Sequence, residues 1–312
     1  MKEKQFIKYL QSKDLAKSTQ EEYILKLQSF LNWVGTCAEH GRSKEDVQIT
    51  NDDVLNYLEH LKNQKNNKNV TRAVILIAIK YYFSFLFENE YIPTNPTAFL
   101  KIRGTQVKKL YHIYTADDLN LLYDNYYNVY IRNYEPSKYT GKANKEHTKL
   151  KRERNYTILG MLIYQGIHTN ELKNIKLDDV DLQKAAIKIT SNRQAQERIL
   201  PLKAVQIGTL INYAQNIRRE LNIKDTEMFF DFVNHNLHDI IKHLTHQVKA
   251  IDRSFINFRQ IRSSVITNWL KTENLRKVQY LAGHRSIHAT ENYLPNNLEN
   301  LIEDITKHHP FL

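Results

Sequence analysis

Near the C-terminal end of this 312-residue chain stand Leu281-Ala-Gly-His284-Arg-Ser286 and Ala289-Thr-Glu-Asn-Tyr293, a histidine and a tyrosine nine residues apart. Upstream lies Phe258-Arg259-Gln-Ile-Arg262-Ser-Ser, and earlier still Tyr164-Gln-Gly-Ile-His168-Thr-Asn-Glu171-Leu172. Between them come Leu177-Asp-Asp-Val-Asp-Leu182 and Glu197-Arg-Ile-Leu-Pro-Leu202. A phenol oxygen is a nucleophile once its proton is drawn away, and guanidinium and imidazole groups stabilise the negative charge of a transition state. Taken singly these residues have plain explanations: Tyr293 is one of 19 tyrosines, and a lone tyrosine packs in a core. Metal chemistry is not expected. His235, His238, His243 and His246 cluster with Asp231 and Asp239, but without a recognised ligand spacing, and read as a polar helix face.

The elements that must position these groups are mainly helical. Only 8 glycines and 6 prolines leave few sharp turns, which favours long helices over many short strands. Ser18-Thr-Gln-Glu21 has the form of a capping box, followed by Tyr23, Leu27, Phe30 and Val34 at helical spacing. Thr50-Asn-Asp-Asp53 starts a second helix with Val54, Leu58 and Leu61 on one face, and a third runs from Thr71 to about Asn89. The apolar stretch 70–87 contains Arg72 and Lys80 and follows a polar run, so a buried core helix is expected rather than a membrane span. Residues 100–111 lack periodicity and carry Lys101, Arg103, Lys108 and Lys109, a basic linker that is either solvated or tracks phosphates. Thr115-Ala-Asp-Asp118 caps the next helix, residues 136–155 are densely basic, and 186–190 and 198–202 read as two short strands around a polar turn.

Net charge is +11, and it is not confined to a tail: residues 1–110 hold 17 basic and 12 acidic side chains, and the remainder is also basic. Spread positive charge suits a long polyanionic partner, nucleic acid first. Cys37 is the only cysteine, which excludes an intrachain disulfide and a cysteine zinc site and fits a reducing interior. The chain opens without a cleavable apolar segment, so a cytoplasmic protein, nucleoid-associated when bound to DNA, is expected.

In order and spacing these blocks closely resemble the tyrosine recombinases, or phage-type integrases, and the N-terminal half resembles their helical core-binding domain down to Tyr91-Ile-Pro-Thr-Asn-Pro96. The resemblance implies a mainly α fold: a helical SAM-like core-binding domain over 1–104, a basic linker over 105–112, and a mostly helical catalytic domain with a small β-sheet over 113–312. It implies a clamp on double-stranded DNA, with a basic groove between the domains, and attack of a tyrosine on the scissile phosphate. A 3′-phosphotyrosine forms and a 5′-hydroxyl leaves, with no metal, nucleotide or other cofactor. Tyr293 falls on the nucleophile, His284 on the histidine that hydrogen-bonds the phosphate, Arg262 on the second family arginine, and Glu171 on a supporting acidic residue.

Three positions depart from the family pattern. His168 stands where the first arginine is expected, Arg259 where a histidine precedes the second arginine by three residues, and Asn192 or Arg193 where the hairpin carries a lysine; Arg193 alone keeps the charge. His168 and Arg259 look exchanged, so the cationic capacity of the pocket survives. A guanidinium gives up a proton poorly, which makes protonation of the leaving oxygen the weak point. The resemblance therefore leaves two readings: an active recombinase of a mobile element, or a catalytically degraded member that binds DNA beside an active paralogue or accessory protein. Beyond Pro295, residues 297–306 read as a short amphipathic helix that must bury Leu298, Leu301, Ile302 and Ile305, in cis or on a neighbouring protomer of a tetramer on DNA.

Overall fold

The computed structural model describes residues 3–37, 49–105, 112–135, 142–193, 195–221, 227–230, 232 and 236–294. The chain divides into two compact units, Met1–Lys109 and Leu110–Leu312. Lys108, Lys109 and the expected C-terminal helix over 297–306 lie outside the described residues.

The first unit is built of α1 (Glu3–Ser12), α2 (Lys17–Cys37), α3 (Asn51–Asn63) and α4 (Asn69–Glu88). Its core joins Phe6 and Leu10 of α1, Leu27 and Phe30 of α2, Leu58 of α3 and Ile79 and Phe83 of α4. Burying side chains of this size contributes about 1.5–3 kcal/mol each. The Thr50 hydroxyl caps α3 by accepting from the Asp53 amide, as the sequence pattern predicts. The Ser18 box does not cap α2: the carbonyl of Ala16 already accepts the amide of Gln20, so the helix starts at Lys17 and Ser18 lies inside its first turn. Helix α1 was not expected from the sequence pattern.

Helix α4 is long and apolar enough to cross a membrane, but Ile75, Leu76, Ala78, Ile79, Tyr82 and Phe83 are buried within the unit. The basic stretch after it is fastened down. Lys80 Nζ donates to the carbonyl of Leu100 at 3.0 Å, and Asn69 Nδ2 donates to that of Arg103 at 3.0 Å. Lys101 and Arg103 are exposed, and with Lys62 and Arg72 they line one cleft of this unit.

The second unit contains α5 (Ala116–Tyr127), α6 (Lys142–Tyr164), 3-10 turns at Thr169–Asn174 and Leu177–Asp179, and the strands β1 (Val180–Asp181), β2 (Ala186–Ile189) and β3 (Arg198–Pro201). Then follow α7 (Ala204–Asn212), a π turn Tyr213–Ile217 leading into α8 (Arg218–Glu220), α9 (Leu237–Ile251), α10 (Phe258–Thr272), α11 (Leu275–Ala282) and α12 (Ile287–Glu291). Thr115 caps α5 through the amide of Asp118. The sheet is antiparallel in the order β1-β2-β3, pairing Val180 with Ile187 and Ile187 with Leu200. The two expected strands thus gain a third, whose two residues are too few for alternation to reveal. The core packs Leu122 and Tyr126 of α5, Leu159 and Leu162 of α6, Ile187 and Leu200 of the sheet, Leu244 and Val248 of α9, and Ile261 of α10. His238, His243 and His246 occupy the exposed face of α9, and His235 lies outside the described residues.

Candidate active site

Two glycine turns make the frame of the site. Gly166 follows α6 with φ +55°, and Gly283 ends α11 with φ +71°, a conformation that L side chains rarely adopt. Each turn brings a carbonyl at a helix end to Arg262 on α10. Arg262 Nη1 donates to the Gly166 carbonyl and Nη2 to the Ala282 carbonyl, the latter at 2.7 Å. Helix C-termini carry partial negative charge, which stabilises a partly buried guanidinium, and the charge of the nearby Glu171 carboxylate adds to that.

His168 sits immediately after the first turn and caps the 3-10 turn that follows. Its Nδ1 accepts from the Asn170 amide at 3.1 Å, while its own amide donates to Glu171 Oε2 at 2.7 Å. With Nδ1 occupied as an acceptor, the neutral ring carries its proton on Nε2. Burial, and next the Arg262 guanidinium, push the imidazole pKa below its ordinary value, with Arg259 acting in the same direction.

His284 follows the second glycine. Its Nδ1 is 2.9 Å from Thr290 Oγ1 and its Nε2 is 3.5 Å from Arg262 Nη2. Burial and the guanidiniums of Arg262 and Arg198 push its pKa down to about 4. Tyr293 lies just beyond α12, held by its amide, which donates to the Thr290 carbonyl at 3.0 Å. Its ring stacks on His284, with centroids 5.6 Å apart and planes 15° apart, and its hydroxyl faces Arg262 closely enough to favour the arginine's charge.

Arg259 is exposed on the first turn of α10, one helical turn before Arg262. Arg193 is exposed on the turn between β2 and β3. That turn is joined to the His284 segment: Ala195 pairs with His284, the Gln196 amide donates to the Gly283 carbonyl at 2.9 Å, and Arg285 donates to the Asn192 carbonyl at 2.7 Å. His284 and Tyr293 therefore meet beside Arg262, with His168 close enough to feel its charge and Arg259 one turn earlier on the same helix. For Arg193 only the attachment of its turn is fixed. Lys101 and Arg103 belong to the first unit.

Sequence reasoning missed Arg198. It is 1% exposed and forms a bidentate pair with Glu171, Nη1 to Oε1 at 2.8 Å and Nη2 to Oε2 at 2.9 Å, while Nε donates to the Leu281 carbonyl at 2.9 Å. Burial alone would raise the Glu171 pKa, but the Arg198 hydrogen bonds and charge outweigh it and hold the carboxylate below its usual range. This pair ties the His168 turn to the end of α11. In strand β3 burial alternates so that Arg198 and Leu200 point in and Ile199 is 56% exposed, an alternation absent from the polarity of Arg-Ile-Leu-Pro. Thr290, fully buried, was missed as well.

These depressed histidine values set a pH dependence. An unfolded histidine titrates at about 6.5, above the folded value for His284, so the unfolded chain binds the proton first. Stability is present above about pH 6.5 and declines as pH falls toward about 4, where folded His284 also protonates. The thermal midpoint is expected to drop across that window, and to drop less in His284→Gln. A decline of the same size in wild type and variant would contradict the assignment.

Two family models match the chain: the phage integrase N-terminal SAM-like domain over residues 4–92 and the phage integrase family over residues 141–300. The chain is 27% identical to the tyrosine recombinase XerC of Listeria welshimeri, over 99% of this chain and 97% of that protein. It is 22% identical to the TnP I resolvase of Bacillus thuringiensis, over 95% and 96%. Its fold matches that of the XerH site-specific recombinase bound to palindromic difH substrate, with a TM-score of 0.67 and 17% identity over 93% of this chain and 80% of that one. It also matches a lambda integrase tetramer bound to a Holliday junction, with a TM-score of 0.61 and 15% identity over 91% and 76%.

Proposed function

The chain belongs to the phage integrase family, and from that premise we propose that it is a site-specific recombinase that breaks and rejoins double-stranded DNA through Tyr293. The observation that carries this reading is the Tyr293 ring stacked on His284 with its hydroxyl facing Arg262. The tyrosine oxygen attacks the scissile phosphorus and releases its proton to water. The bond to the 5′ oxygen breaks, that oxygen takes a proton from water to leave as a hydroxyl, and a 3′-phosphotyrosine conserves the bond energy for rejoining. Arg262 is oriented by two helix ends and keeps further N–H donors for a phosphate oxygen.

The three departures from the family pattern take defined roles. His168 works as a neutral donor through Nε2, because its Nδ1 is committed to the Asn170 amide. Arg259, one turn before Arg262, restores the positive charge that a histidine at position 168 lacks. Arg193 hydrogen-bonds the leaving 5′ oxygen rather than protonating it, since a guanidinium is a poor acid. Glu171 supports the site through Arg198. The reaction as proposed uses no metal or nucleotide. Residues 1–104 serve as the core-binding domain and 113–312 as the catalytic domain of a protein that works as a tetramer on DNA, in the cytoplasm on the nucleoid.

The decisive experiment is incubation with a nicked suicide duplex carrying the protein's own site. A covalent adduct at Tyr293, formed without added metal or nucleotide, is the expected result. Specific binding with no adduct favours the second reading, a catalytically degraded member that acts beside an active paralogue or accessory protein, which the substitutions at 168, 193 and 259 support.

Binding itself is expected to weaken steeply with salt, log K falling with log salt by about 0.9 for each phosphate neutralised. Replacing Lys101 and Arg103 together by alanine should lower that slope by about 2. A slope identical to wild type would remove these residues from the interface.

A further inference from the structure

His284 needs a partner for Nδ1, and the structure supplies it from a residue that also reaches the tyrosine. Thr290, fully buried on α12, places Oγ1 2.9 Å from Nδ1, and its carbonyl accepts the Tyr293 amide at 3.0 Å. On the other edge of the imidazole, Arg262 Nη2 lies 3.5 Å from Nε2. One residue thus touches the imidazole through its side chain and the tyrosine through its backbone.

A neutral imidazole has one N–H and one lone pair. Burial and the guanidiniums of Arg262 and Arg198 keep His284 in that neutral form. In the free protein a guanidinium N–H faces Nε2, which favours the lone pair there and the proton on Nδ1, with Thr290 accepting. A phosphate oxygen only accepts, so contact with it requires the proton on Nε2 and a lone pair on Nδ1. A hydroxyl both donates and accepts. By rotating, Thr290 pairs Nδ1 in either form, and one proton moves between the ring nitrogens with no net uptake.

We propose that Thr290 is a positioning residue for the reaction, its hydroxyl holding the His284 ring beside Tyr293 and letting it exchange tautomer so that Nε2 donates to the phosphate. This rests on the roles assigned above to His284 and Tyr293. Valine at 290 matches the shape of threonine but can neither donate nor accept, while serine keeps the hydroxyl.

The test compares Thr290→Val and Thr290→Ser with wild type in the rate of adduct formation on the suicide duplex. Thr290→Val should slow it by about 10-fold or more, the scale of one lost hydrogen bond at a half-buried group, with Thr290→Ser within about threefold of wild type. DNA affinity should be unchanged in both. Nitrogen NMR of the His284 ring in the free protein gives a second readout that needs no catalysis. Wild type and Thr290→Ser should show the Nδ1-protonated tautomer, and Thr290→Val a mixture. Thr290→Ala serves the same comparison if the valine variant does not fold. A valine variant as fast as wild type, or a serine variant as slow as valine, overturns the proposal. If wild type forms no adduct, the functional reading fails, and ring shifts unchanged by loss of the hydroxyl still overturn the contact.

Discussion

Tyr293→Phe is expected to abolish cleavage while leaving DNA binding intact. The substitution removes one oxygen and keeps the ring that stacks on His284 and packs beside Ile266, Val278 and Ala282. Little apolar contact is lost, so fold and affinity should stay within experimental error of wild type. The chemical step loses its nucleophile, and losses on the order of 10⁶-fold accompany such removals in other enzymes. Adduct formation on a suicide duplex and half-site affinity, measured on the same preparation, separate the two effects. Cleavage surviving in Tyr293→Phe would reject the nucleophile assignment, and a parallel loss of binding would make the tyrosine a structural residue.

The second large effect concerns stability. Glu171→Ala should cost about 3–5 kcal/mol, the penalty for leaving a buried charge without its partner. Arg198 would then retain only carbonyl partners in a site where it is 1% exposed. Gly283→Ala should be damaging for a different reason: an added Cβ would lie 2.5 Å from Arg198 Nη1, at a φ of +71° that disfavours alanine. Denaturant unfolding measures both. Replacing Glu171 and Arg198 together by methionine should recover much of the loss, because two apolar side chains leave no unpaired charge. A double variant no more stable than Glu171→Ala would show that the pair is not the cause. Acid should weaken the pair as well. The Glu171 pKa is lowered in the folded state, so its contribution is present above the unfolded value of about 4.3 and is lost as pH falls below it.

Much of this site was legible from residue types and spacing, because the relevant pattern is local. Gly166 and His168 are near neighbours in sequence, as are Gly283 and His284, and Arg259 and Arg262 are one helical turn apart. The Thr50 and Thr115 caps were readable for the same reason, each box spanning four residues. Helix α1 and strand β1 were not: one is short and polar on most of its surface, the other is two residues long. The Ser18 box failed because competition for the first helical hydrogen bond is settled by the chain preceding it, where Ala16 already accepts.

By itself the sequence determined the family, the mainly helical class and the set of cations and phenol available for chemistry, since these follow from residue identity and short-range period. Tertiary structure alone decided which partner each group has. Arg198 meets Glu171 across 27 positions of chain and Leu281 across 83, and Arg262 reaches the Gly166 carbonyl across 96. Such pairings depend on where two helix ends arrive after the core has closed. No local pattern encodes that meeting, and it is what turns one arginine into a buried brace and leaves another, oriented by two carbonyls, with donors to spare.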